Sequence, residues 1–315
     1  MIFNKKLSIF LLTALILPLS AIDKNAGTSG FQFLKMHYSA RALGMANAFT
    51  GMKNDVDVVY FNPAGLAQQN EKSLKSNYIN YVDGMNGGSF AFVMPYQREV
   101  KVGFFAQYLN SGTMKRTSVL NDGSYSIDGE FSASDLIAGI SLARKFKDNL
   151  DLGVNAKFIS ENLDDASASA VVIDLGLTHQ TNNKNLVIGA CVRNLGVQLS
   201  YYTEDEIKEK MPTVFSVGGN YTFNEKFRAN LDLVKPIDND FYGKLGFEYD
   251  LVPLMSLRAG FDSRSSDYKA GDTYEAMSGI SAGFGIHYKR YSLDYGVASM
   301  GDLGWNNQIS IGYRL

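Results

Sequence analysis

The chain has 315 residues, 45% of them hydrophobic, and its 30 Lys and Arg against 32 Asp and Glu leave a net charge of −2. That apolar share is too low for a bundle of membrane-spanning helices, and the near-neutral balance leaves no electrostatic footprint for nucleic acid. One cysteine, Cys191, excludes an internal disulfide and reads as a small residue packed in a strand, while 30 glycines, 20 Phe and 18 Tyr against six prolines suit tightly turned strands with aromatic girdles.

Residues 1–21 are expected to form a signal peptide. Lys5 and Lys6 precede an apolar run at 7–19 that is too short to span a bilayer, and a cleavage point follows Ala21. No cysteine follows it, so a lipoprotein anchor is not expected. Residues 22–70 are expected to be a hatch. Within them, 39–49 predicts a helix with Ser39 as N-cap and Leu43, Ala46 and Phe49 on its apolar face.

Residues 71–315 change period. From Trp305 onward Ile309, Ile311, Tyr313 and Leu315 alternate with Asn306, Gln308, Ser310, Gly312 and Arg314, and only Asn307 is out of place. A period of two with one greasy and one wet face is a strand between two different solvents. The same alternation predicts strands at 72–83, 87–96, 99–110, 133–145, 150–161, 167–180, 185–196, 212–223, 227–236, 241–250, 254–265, 276–289, 291–299 and 305–315. Most have the length a tilted strand needs to cross a hydrocarbon core.

The connections sort by parity. Those at 97–98, 146–149, 181–184, 224–226 and 251–253 are short; those at 111–132, 197–211 and 266–275 are long. Short periplasmic turns and long outer loops are the pattern of outer-membrane barrels. The charged stretch 203–210 then lies outside, as one short helix. The fold class is all-β: a transmembrane antiparallel β-barrel of about 14 strands with an N-terminal, partly helical luminal hatch, in the outer membrane. Eight strands fill their own interior and sixteen leave a channel, so a barrel of this size would leak unless something occupied it.

Strands nine to thirteen turn Arg228, Asp232, Lys244, Glu248, Arg258, Asp262, His287 and Asp294 away from lipid. Opposite charges on adjacent strands can pair across the sheet. An ion-paired brace is the structural reading, and a polar conduit or docking surface the functional one.

No catalytic constellation is found. His37, His179 and His287 are far apart and lack a metal-ligand spacing, and there is no nucleophile elbow or phosphate loop. The pairs Asp55/Asp57 and Asp164/Asp165 lack the further oxygen ligands of a calcium loop. Neither cofactor, metal nor enzymatic activity is expected.

Three blocks in order, GTSGFQFLK at 27–35, SARALGMANAFTG at 39–51 and YFNPAGLA at 60–67, resemble the opening of the PorV/PorQ family of outer-membrane proteins. That family is related to the FadL-type long-chain fatty-acid transporters, and Asn62, Pro63 and Ala64 match the NPA motif near the hatch of both groups. The resemblance implies a fourteen-stranded barrel with a luminal hatch. Leu315 stands where such barrels usually end in phenylalanine.

The resemblance also implies a function. The expectation is a non-enzymatic barrel engaging secreted proteins or secretion-machinery subunits, in type IX-like secretion or surface attachment, through the outer loops 111–132, 197–211 and 266–275. The alternative is a FadL-like passive transporter of a hydrophobic small molecule, with Phe49 and Phe61 as gate. Outer-membrane lipid is the partner common to both.

Overall fold

The computed structural model describes residues 25–97, 99–204, 207–264 and 277–315. The signal-peptide expectation and the loop at 266–275 lie outside them. Among the described residues, fourteen antiparallel strands close into one barrel, each paired with its sequence neighbours and the first with the last. They are β1 (Ser73–Asn80), β2 (Asn86–Gln97), β3 (Val100–Val119), β4 (Tyr125–Lys147), β5 (Leu150–Leu163), β6 (Ala166–Gln180), β7 (Leu186–Ser200), β8 (Val214–Thr222), β9 (Phe227–Pro236), β10 (Tyr242–Val252), β11 (Met255–Asp262), β12 (Ile280–Tyr288), β13 (Tyr291–Ser299) and β14 (Trp305–Arg314).

Two solvents dictate the alternation. On β14, Ile309 and Ile311 are 45% and 58% exposed, while Gln308 and Ser310 between them are 1% and 0% exposed. The outer face is the apolar one, as a bilayer requires and an aqueous sandwich would not. Asn307, the one polar residue on that face, accepts the Tyr295 hydroxyl hydrogen bond at 2.7 Å, which removes most of its cost.

Residues 111–132 are not a loop. β3 and β4 stay paired out to Val119 and Tyr125, while β2 leaves β3 at Asn110 and β5 leaves β4 at Ala133. A two-stranded ribbon therefore stands beyond the rim, through pairs such as Lys115 with Glu130 and Thr117 with Ile127. Its β-branched and aromatic residues support pairing where no burial enforces it. The stretch 203–210 forms no helix among its described residues: a turn leads to extended chain, and Lys210 bridges Ser29.

The segment before β1 fills the lumen. One helical turn (Ala40–Leu43) lies on β12, β13 and β14; a 3₁₀ turn (Val56–Tyr60) lies on β1 and β2; another (Pro63–Gln68) lies on β4, β5 and β6. The helix expected over 39–49 thus stops after one turn. Ala46 and Asn47 adopt positive φ, and the backbone amides beyond take wall acceptors instead: Ala46 donates to Ser281 Oγ at 2.9 Å, and Phe49 and Thr50 to Asp232 at 2.8 and 2.9 Å. An Ala-rich segment continues as a helix only if nothing offers its backbone better partners. Ser39 does cap the turn, accepting from the Ala42 amide at 3.2 Å.

Candidate functional site: the hatch, its seat and the apolar wall

The lumen has two unlike halves. Ala91, Val93, Phe105, Leu109, Ile137, Ile159, Ala168, Ala170 and Val172, all from β2–β6, join one apolar cluster with Phe31, Phe33, Leu34, Phe49, Phe61 and Leu66 of the hatch. The opposite half, from β9 round to β1, carries the ion-pair network around Glu248, while the charges of β4–β7, among them Asp135, Asp151, Lys157 and Asp174, are interspersed with the apolar cluster.

That network centres on Glu248. Register places it between Arg228 on β9 and Arg258 on β11. Arg258 Nε stands 2.7 Å from its carboxylate and Arg228 Nη1 3.3 Å, and the hatch residue Arg41 reaches it with Nη2 at 2.7 Å and Nε at 2.9 Å. Arg41 also meets Asp55 at 2.6 Å, Arg258 meets Asp294 at 2.8 Å, and Lys75 joins Asp57 at 2.8 Å and Asp294 at 3.4 Å. The network therefore ties hatch to wall. Arg41, Asp55, Asp57 and Lys75 were not legible as members, because Arg41 meets Glu248 across 207 residues of sequence.

The other expected lumen charges sit elsewhere. Asp232 anchors the hatch backbone at Phe49 and Thr50 and accepts the Thr50 hydroxyl at 2.7 Å. Lys244 stands in register between Asp232 and Asp262, but its amino group lies 3.5 Å from the Asn47 carbonyl. Asp262 binds Arg264 at 2.6 Å. His287 borders a polar recess of about 340 Å³ at the short-turn end, beside Lys75 and Asp294.

Asn62, Pro63 and Ala64 lie flat on β5 and β6. Asn62 Nδ2 donates to the Thr50 carbonyl at 2.8 Å and the Leu177 carbonyl at 3.0 Å, and its Oδ1 accepts from Ala64 N at 3.2 Å. The wall makes room with a cross-strand glycine pair, Gly153 opposite Gly176. A Cβ at Gly153 would meet Ala64 N at 2.3 Å, and one at Gly176 would meet Asn62 Oδ1 at 2.1 Å. Other cross-strand glycine pairs are Gly189 with Gly218, Gly246 with Gly260 and Gly283 with Gly296, and a Cβ at any of these except Gly218 would meet the hatch between Ala40 and Gly51. Their signal in the sequence was glycine on the wet face of strands, where only close backbone approach demands it.

Phe49 and Phe61 are buried in the hatch with ring centroids 5.0 Å apart, and His37 lies 4.5 Å from Phe61 on its other side. Burial first and Arg193 second hold His37, which precedes the spanning strands, well below the usual histidine range, so it is neutral at pH 7. A second network, missed in the sequence, flanks this region. β7 bulges where Arg193 and Asn194 oppose Asp174, and Asn194 takes positive φ. Lys157 bridges Asp174 at 2.8 Å and Asn194 at 2.6 Å.

On the outside of the same wall, β2–β7 form an apolar concavity of about 860 Å³. Its rim includes the lipid-facing Phe90, Phe104 and Phe158, and its lining also includes Phe105 and Val172 from the lumen side. Small residues, Ala106, Ala138, Gly139 and Ala156, line it where larger ones would close it. Gly139 gives its inward space to Phe105, whose Cζ would lie 2.2 Å from a Cβ there. β3 to β6 stay paired through these residues, so the concavity is a dent in the lipid face, backed from the lumen side by Phe105, Lys157 and Val172. Among the described residues no group of three His, Cys, Asp or Glu could hold a metal ion, and Cys191 is a buried free thiol.

No family model and no curated protein matches the chain. Solved structures do. The Pseudomonas putida toluene transporter TodX superposes with a TM-score of 0.63 at 13% identity, over 88% of this chain and 98% of that one. The monoaromatic hydrocarbon channel CymD gives 0.57 at 14% identity over 88% and 97%, and a Pseudomonas aeruginosa FadL homologue gives 0.57 at 12% identity over 88% and 98%. At such identities the likeness is one of fold. It corrects the reading of the three N-terminal blocks as PorV/PorQ-like, and with it the expectation of a type IX-like secretion or surface-attachment role through the outer loops. The barrel in which they sit is similar in fold to these channel structures.

Proposed function

We propose that this chain is a passive outer-membrane conduit for hydrophobic small molecules, non-enzymatic, closed at rest by its hatch. The observation that carries the reading is the largely apolar concavity of about 860 Å³ in the lipid face of the wall, backed by the apolar cluster that joins β2–β6 to the hatch. A hydrophobe crossing an outer membrane needs an apolar surface in place of water, and a wall concavity lets it leave or enter sideways through lipid. The match to a toluene transporter and a monoaromatic hydrocarbon channel supports the same class of cargo.

The division of labour follows from the two halves. Charges from β9 to β1 hold the hatch in register, and the apolar half offers the path. Phe49 and Phe61 are assigned as the gate because their rings pair at 5.0 Å within the hatch part of that apolar cluster. Asn62, Pro63 and Ala64 are assigned as the anchor on which the gate turns. The chain is proposed to divide into a signal peptide at 1–21, a hatch at 22–70 and a barrel at 71–315.

The test fills the concavity from the lipid side. Ala138→Trp and Ala156→Trp should cut uptake of a labelled monoaromatic hydrocarbon several-fold in cells where this barrel is the main route. Ala282→Trp, equally lipid-facing on the opposite wall, should leave uptake unchanged. Equal uptake by all three variants and the parent would sink the wall path.

A further inference from the structure

Asp135 is buried in the upper lumen, 7% exposed, and makes no hydrogen bond or ion pair among the described residues, whereas the other buried acids of the lumen are partnered. Asp55, Asp57, Asp174, Glu248 and Asp294 face cations within 4 Å, Asp151 faces Lys53 at 3.1 Å, and Asp232 anchors the hatch backbone. Directly across from Asp135 in register, on β5, is another acid, Glu161. Like charges directly opposite each other on adjacent strands repel, and a buried carboxylate without a partner is costly. Such an arrangement stabilises nothing in the empty barrel.

Its surroundings define a complementary ligand. The Tyr202 hydroxyl hydrogen-bonds Glu161, and the Tyr202 and Tyr38 phenols lie within electrostatic reach of Asp135. Glu209 adds a third carboxylate near Glu161. These groups do not converge as metal ligands among the described residues. Two carboxylates with aromatic rings beside them suit an organic cation, which takes several hydrogen bonds and can lie on a ring face.

Below the acids the lumen turns apolar, row by row. Leu109 and Ala168 flank them, then Ile137 and Ile159 with Gln107 beside them, then Phe105 and Val172, a row in which Lys157 also stands but is neutralised by Asp174 at 2.8 Å. Four residue steps along β4 lead from Asp135 to Gly139 at the wall concavity, about 13 Å of strand. That span matches a medium-length apolar tail.

We propose that Asp135 and Glu161 form a head-group site for hydrophobic amines, holding the ammonium at the top of the apolar half while the tail points to the wall concavity. The assignment rests on the conduit reading and names its cargo as cationic amphiphiles. Neutral molecules would find the tail path without the head-group contact, and carboxylates would be repelled.

The test is calorimetric binding of octylammonium, octanol and octanoate to the full barrel in lipid nanodiscs at neutral pH. Octylammonium should bind at least ten-fold more tightly than octanol, with octanoate weakest. Asp135→Asn and Glu161→Gln should each remove most of that preference while leaving octanol affinity unchanged, which a merely structural role would not do. Octanol bound as tightly as octylammonium, or a preference that survives both variants, would overturn the head-group site and leave the conduit standing. Binding of none of the three would overturn both.

Discussion

Asn62 occupies the space that a side chain at Gly176 would need. A Cβ there would sit 2.1 Å from Asn62 Oδ1, so even Gly176→Ala must lift the NPA turn off the wall. The expected outcome is a leaky barrel, read as faster swelling of proteoliposomes in small sugars. Gly219→Ala is the control, because its nearest neighbour would lie 3.7 Å away in ordinary contact. Asn62→Ala works from the other partner. It strips a donor from the Thr50 and Leu177 carbonyls and an acceptor from the Ala64 amide. Leaving such buried groups unmatched costs about 1–3 kcal/mol. The same swelling assay should show it, with the barrel still assembled. Wild-type swelling in both variants would mean that the NPA turn does not anchor the closure. The sequence showed the motif and the glycines separately. Nothing in their spacing says that a turn at 62–64 lies on residues 153 and 176.

The strands, by contrast, were legible to within a few residues, since each lies between lipid and a polar or packed lumen and so carries its own period. β14 is the clearest example, its wet face receiving the hatch at Ser39 N to Gln308 Oε1 (2.8 Å) and Ala40 N to Ser310 Oγ (2.9 Å). Where burial does not impose a pattern, legibility fails: the β3–β4 ribbon was expected to be loop. Its outer pairs touch no other strand, so replacing 113–131 with a two-residue turn should leave heat-modifiable migration of the barrel unchanged. A shift to the unfolded band would show that the ribbon takes part in assembly. The ion-paired elements behave oppositely. Glu248→Gln leaves Arg258, fully buried, and Arg41 short of a counter-charge, a loss of about 3–5 kcal/mol for a buried pair. The midpoint of urea unfolding should fall clearly. Glu99→Gln, which breaks only the exposed pair with Arg144 at 3.7 Å, should not move it.

At the scale of the whole molecule, hatch and barrel are complementary in charge as well as shape, and neither is complete alone. Without the hatch, Glu248 loses Arg41, Lys75 loses Asp57 and Asp232 loses the backbone amides it accepts from. Deleting 27–67 is therefore expected to do two things at once. Passive leakage of small polar solutes should rise, because the remaining wall encloses a lumen wider than its own side chains can fill. The barrel should also unfold at lower urea, because its polar half keeps buried charges whose partners have gone. The two effects separate the possible roles of the segment. A leak without loss of stability would make the hatch a plug seated on an independently stable wall. Lost stability without a leak would mean that the wall collapses inward, so that the hatch is a core for the fold before it is a gate. The glycine pairs argue for both outcomes together, since a wall built to touch the hatch backbone cannot close the gap left behind by small side-chain movements.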